Sequence, residues 1–239
     1  GSFKEWLESP YPEMGIECQT CHMKPTGVDH FVFPEKGGLI RHPQLIASHL
    51  QPGAANVGLL QNTVSMTISA RQVADVVRVA VTITNTQAGH HVPTDFPARN
   101  VILVVTATDG QGQALPLRSG PTVPDWGGDL AGRPGKGYAK ILRDVVSGEA
   151  PVVSYWKQTL IVSDNRLAAF EADTTSYDFL VPEGGGDVEI EARLIFRRAF
   201  EALAEAKGWE MEDIVMETEV VTLSLGPAYR VYLPVIMKS

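Results

Sequence analysis

The sequence predicts a mainly β chain: an antiparallel sandwich of the immunoglobulin or fibronectin type, preceded by a short, mostly irregular or helical segment. Three observations carry this. From residue 61 onward, apolar residues recur at every second position in run after run. Gly- and Pro-rich turns separate the runs, and no rhythm of strand, helix and strand appears, which excludes a parallel doubly wound sheet. Over residues 1–60 the period of two is missing. The expected division is therefore 1–60 and 61–239. With 239 residues, 44% of them hydrophobic and 20% charged, the chain can bury a core without disulfides or a structural metal.

Each element follows from local pattern. Residues 3–7 open a helix that Pro10 ends. Residues 43–50 read as two helical turns with Pro43 at the first position. Val64, Met66, Ile68 and Ala70 alternate with Thr63, Ser65, Thr67 and Ser69, so Met66 points into a core. Val77, Val79, Val81 and Ile83 form the next inward face. Residues 100–108 make a long apolar strand that turns at Asp109-Gly110-Gln111-Gly112. Strands follow at 160–162, 176–181 and 188–196, the last two joined by the turn at 183–187. An amphipathic helix spans 199–207, with Phe200, Leu203 and Ala204 on one face. Strands at 218–225 and 229–235 close the chain. The loop at 120–137 carries Asp125, Trp126 and Asp129. It reads as a packed surface loop anchored by Trp126, because two Asp fall short of the roughly six to eight oxygens that calcium takes.

A formal net charge of −8 argues against a nucleic-acid partner or an anionic membrane surface. No apolar run approaches the roughly 18–20 residues of a membrane span. The opening residues Gly1-Ser2-Phe3 have no signal-peptide character, which suits a removed leader or a start partway through a longer protein.

The chain has two cysteines, and both lie in Glu17-Cys18-Gln19-Thr20-Cys21-His22-Met23. Cys-x-x-Cys-His is the attachment signature of c-type haem. Two thiols two residues apart span the two vinyl groups on one porphyrin edge, and the adjacent imidazole reaches the iron as proximal ligand. Such attachment places a protein in the periplasm or on the cell surface. A thioredoxin-like pair would follow a strand, whereas Pro10, Pro12, Gly15, Pro25 and Gly27 surround this one. A zinc finger wants two histidines about 3–5 residues apart, which His30, His42 and His49 do not supply. A disulfide across two residues would be strained.

Six histidines are present: His22, His30, His42, His49, His90 and His91. With His22 proximal, the distal iron ligand is sought among the rest. Met23 is too close to His22 to reach the opposite face, and Met66 belongs to a core, so a histidine is favoured over a methionine. His49, in Ser48-His49-Leu50-Gln51-Pro52-Gly53, and His90, in the turn Gln87-Ala88-Gly89-His90-His91-Val92-Pro93, are the first candidates. Gly89 and Pro93 would hold His90 rigidly, as a ligand requires. His91 and His30 rank behind them.

The run Trp6-Leu7-Glu8-Ser9-Pro10-Tyr11, followed by the haem motif, resembles the last haem motif of bacterial multihaem c-type cytochromes. Ser48-His49-Leu50-Gln51-Pro52-Gly53-Ala54 looks like that family's connector. Asn85-Thr86-Gln87-Ala88-Gly89-His90-His91-Val92-Pro93-Thr94 looks like its sandwich signature, with Arg99 soon after. The resemblance implies a covalent haem, electron transfer with redox protein partners, and neighbouring haem-bearing domains or subunits. Such proteins carry several haem motifs, and this chain has one, so one haem c per chain is expected. Because His49, His90 and His91 outnumber the single open coordination site, one of them is expected to serve a haem outside this chain. An enzyme with an open iron position, a reductase or peroxidase with His30 or His42 as acid or base, is the alternative; a β-sandwich binding module is another.

Overall fold

The computed structural model describes residues 1–226. It contains two antiparallel sheets stacked as a sandwich. The strands are β1 (Val64–Val73), β2 (Val76–Asn85), β3 (Asn100–Asp109), β4 (Leu117–Ser119), β5 (Gly135–Asp144), β6 (Thr159–Asp164), β7 (Ala172–Leu180), β8 (Gly186–Arg197) and β9 (Ile214–Leu225). One sheet has the order β1-β2-β7-β4, and the other β6-β5-β3-β8-β9. Four short α-helices accompany them: α1 (Ser2–Leu7), α2 (Cys18–His22), α3 (Val57–Gln61) and α4 (Glu201–Lys207). Among the described residues no helix is long and apolar enough to cross a membrane.

The sheets meet through the alternating residues that the sequence places inward. Val77, Val79, Val81 and Ile83 of β2 pack with Val101, Leu103 and Val105 of β3 and with Val188, Ile190, Ala192 and Leu194 of β8. Met66 is buried in the same cluster, as its alternation in β1 requires. Burying such a face removes roughly 25 cal/mol of unfavourable hydration per Å² of apolar surface.

β3 departs from simple alternation, because both its faces are covered. Val101, Leu103 and Val105 face the second sheet, while Ile102 and Val104 lie beneath Val123, Leu130 and Ile195, with Trp126 packed against them. The 120–137 loop supplies that outer cover, folded around a 3-10 turn at Asp125–Leu130. Trp126 also meets Phe200 edge-on at 5.5 Å, which joins the loop to α4. The loop is thus the packed, Trp-anchored structure expected. Its Asp129 is bound to Arg197, whose guanidinium also grips Asp213 and the carbonyl of Gly127.

Some elements differ from expectation. β5 occupies part of the stretch read as loop and pairs with β3 from Asn100↔Ala139 to Val104↔Gly135. Its Gly-Lys-Gly start conceals it, because Gly137 is kept small by the Trp126 ring lying against it. β4, Leu117–Ser119, is a further strand too short to leave a period-two pattern. Residues 43–50 form a single 3-10 turn, Pro43–Leu45, after which Ala47 bridges to Pro25 in an extended conformation. The pull of that bridge outweighs helix propensity in so short a segment. The strand expected at 229–235 lies outside the described residues.

Candidate functional site

The site is built where residues 1–60 meet the end of the sandwich that carries the β2–β3 connection. α2 is one helical turn, so Cys18, Cys21 and His22 stand at i, i+3 and i+4 on one side of it. The turn starts cleanly because the Glu17 amide donates to Thr20 Oγ1 at 3.2 Å. Cys18 is exposed, Cys21 is half-buried, and both thiols are free.

His22 and His90 come together. Their ring centres are 6.3 Å apart and their planes lie 18° from parallel. Each ring uses Nδ1 on a backbone carbonyl: His22 Nδ1 donates to Pro52 O at 2.6 Å, and His90 Nδ1 donates to His91 O at 2.9 Å. A carbonyl only accepts, so Nδ1 carries a proton in both rings, and in a neutral imidazole Nε2 is then the lone-pair nitrogen. Burial, the largest influence on His90, holds its imidazole below the ordinary histidine pKa and favours the neutral, lone-pair-bearing form.

This donor set suits a metal held between two imidazoles. The 6.3 Å between ring centres leaves room for one ion bound to both imidazoles through metal–nitrogen bonds of about 2.0–2.1 Å. The carbonyl bonds at Nδ1 are the outer support that ligating histidines need to fix tautomer and orientation. A four-ligand zinc site fits less well: among the described residues no three His, Cys, Asp or Glu side chains converge to hold an ion.

The other histidines sit elsewhere. His91 turns toward Glu5, its Nδ1 3.8 Å from Glu5 Oε1. His30 Nδ1 bonds Asp29 Oδ1 at 2.6 Å, and the His42 ring nitrogen accepts from the Gln44 amide at 3.3 Å. His49 is exposed, three residues before the Pro52 carbonyl that orients His22.

Residues that pattern reading passed over hold the two halves of the site together. Glu5 of α1 is buried and accepts from Thr94 Oγ1 at 2.6 Å, from Arg166 Nη1 at 2.9 Å and from the His91 amide at 3.2 Å. Burial alone would raise its carboxyl, but the Thr94 and Arg166 bonds outweigh that and hold it below the usual range. Trp6 Nε1 donates to Ile16 O at 2.9 Å and fixes the chain leading to α2. Tyr11 is buried against Phe170, ring centres 5.3 Å apart, and also lies against Gly89. Asn85, at the end of β2, is fully buried and bonds the turn that carries His90. Trp6, Tyr11, Asn85 and Thr94 stand in the runs that carry the family resemblance, and an Asn ahead of a Gly-containing turn is a common turn-forming residue; Glu5 and Arg166 left no such signal.

A solved structure, the penta-heme cytochrome c552 from Thermochromatium tepidum, superposes on this chain with a TM-score of 0.66. The likeness is one of fold. Identity is 20%, and the match covers 93% of this chain and 50% of that one, so the chain spans about half the length of that protein. A structural-genomics target, SoR45, and the Fcho1 Mu homology domain of Danio rerio align at TM-scores of 0.25 and 0.22 with 9% and 11% identity, over 75% and 72% of this chain and 97% and 46% of theirs, and carry no argument. No protein-family model matches the sequence, and no curated protein matches it.

Proposed function

We propose that this chain is a c-type cytochrome that carries one covalently bound haem and acts in electron transfer, as part of a multihaem redox chain or assembly. The observation that carries the reading is the His22–His90 pair: near-parallel rings 6.3 Å apart, with both Nδ1 atoms already engaged. The bound group supplies a one-electron couple. Cys18 and Cys21 would tether it, each through a thioether made by S–H addition across one vinyl group with nothing leaving. His22 and His90 each present an Nε2 lone pair, and two imidazoles give a lower potential than the His/Met pair. If His22 and His90 both hold the iron, no iron position would be left for a substrate, which would favour a carrier over an enzyme. Thioether attachment puts the protein in the periplasm or on the cell surface.

The surroundings support neighbouring haem-bearing partners. Phe31, Phe33, Leu39, Ile40, Leu45 and Leu50 are all exposed within the one stretch 31–50. His49, exposed, and His30, oriented by Asp29, are the imidazoles available there to a haem of another domain or subunit.

The test is direct. Intact-mass analysis of natively matured protein should show one haem bound, and the reduced form should give a sharp low-spin absorption spectrum. His90→Ala should convert the iron to a high-spin form that binds carbon monoxide, while His49→Ala should leave it low-spin. Bare polypeptide would overturn the reading; a reversed pattern in the two variants would move the distal position to His49.

A further inference from the structure

The peptide unit between His90 and His91 is held at both ends by buried side chains. Its carbonyl, on His90, accepts from Asn85 Nδ2 at 2.9 Å; its amide, on His91, donates to Glu5 Oε2 at 3.2 Å. Asn85 comes from β2 of the sandwich, and Glu5 comes from α1, thirteen residues ahead of Cys18 in the same segment. From this we infer that Asn85 and Glu5 form a two-sided clamp that positions His90, an inference that rests on His90 being the distal ligand.

The geometry leaves the clamped unit little freedom. Asn85 is itself fixed: Nδ2 also donates to Leu167 O at 3.2 Å, and Oδ1 accepts from the Ala88 amide at 3.0 Å. Its own backbone bonds Glu171 O and the Phe170 amide, so the strand end, the 85–90 turn and the 167–171 segment are one hydrogen-bonded block. Glu5 is anchored in turn by Thr94 and Arg166. The His90 ring bonds the His91 carbonyl, which belongs to the next peptide unit, and that unit is held in turn by the Val92 amide donating to Leu167 O at 2.9 Å. Because one jaw is on α1, the ligand reaches its geometry only when the haem-bearing segment is docked on the sandwich. Neither residue touches the iron position; both act through His90.

Carbon-monoxide binding to the reduced, natively matured holoprotein reads the clamp. The expected result is that Asn85→Ala and Glu5→Ala bind carbon monoxide about 10–100-fold more readily than wild type, the size of effect that outer-shell support gives a metal ligand. Glu5→Gln, which keeps an acceptor for the His91 amide, should recover most of the wild-type behaviour. Leu194→Ala, in the core of β8, supplies a matched loss of melting temperature without the clamp and should remain unreactive. If Asn85→Ala does not fold, the equal-sized Asn85→Asp removes the same donor and gives the same reading. Asn85 and Glu5 variants no more reactive than Leu194→Ala would overturn the clamp while His90 stands as ligand. A His90→Ala protein that itself stays unreactive would overturn the ligand assignment, and the clamp with it.

Discussion

Gly89 lies directly beneath the ring of Tyr11. A Cβ on Gly89 would come within 2.8 Å of Tyr11 Cγ and Cδ1 and 3.3 Å of Trp6 Cδ1. The ring has nowhere to retreat, since Tyr11 is buried and stacked on Phe170. The close approach brings the haem-motif segment against the turn that carries His90.

Gly89→Ala should therefore destabilise the protein by about 1–3 kcal/mol, the cost of overpacking a filled site. Denaturant unfolding measures this. The same variant should show a partly high-spin iron, because the two imidazoles are held by elements that the added methyl pushes apart. Wild-type stability in Gly89→Ala would mean that the ring accommodates the methyl and that the contact is not structural.

Arg166 is the cation that makes a buried Glu5 tolerable. Its side chain is 4% exposed and that of Glu5 7%, and Arg166 also forms two bonds to Asp164, at 2.7 and 2.8 Å. Arg166→Met should cost about 3–5 kcal/mol, because it strands a buried carboxylate. The double variant Glu5→Leu/Arg166→Met should be more stable than Arg166→Met alone, since the buried carboxylate is then gone and Asp164 keeps Lys140 Nζ at 3.5 Å. A double variant that unfolds at the lower denaturant concentration would contradict this.

Leu194 is fully buried at the centre of β8, between the sheets. Leu194→Ala should cost about 2–5 kcal/mol, through lost burial and the cavity left behind. Equilibrium unfolding checks it; a loss under about 1 kcal/mol would mean that the sheets close over the gap.

Asp144 gives the β5–β6 connection a defined acid response. It accepts from Ser147 Oγ at 2.7 Å and from the Val146 amide at 3.0 Å, with Lys157 Nζ at 3.1 Å. These contacts, Ser147 foremost, hold its carboxyl down to about 2. An unfolded Asp titrates near about 3.9, so the stabilisation is complete above that pH and is lost as pH falls through about 2. Melting temperatures of wild type and Asp144→Asn should differ at about pH 5 and converge as pH approaches about 2. A gap that stays constant over that range would sink the assignment.

The legible parts of the molecule are those that local periodicity and spacing encode. Alternation in β1, β2 and β8 marks the inward faces, because successive side chains of a strand point to opposite sides. Cys18, Cys21 and His22 are readable because their spacing is itself the chemistry. β5 was not readable: its glycines look like loop until Trp126, from another part of the chain, is seen to occupy the space that side chains would need.

The sequence by itself determined an antiparallel β protein with a Cys-x-x-Cys-His motif and a short list of histidines. The tertiary structure alone decided which of those histidines faces His22. The approach of His90 to His22 goes with hydrogen bonds that join residues 5, 85 and 166, far apart along the chain. Such buried polar contacts leave no periodic trace, since each needs one partner at one distance and not a repeating face.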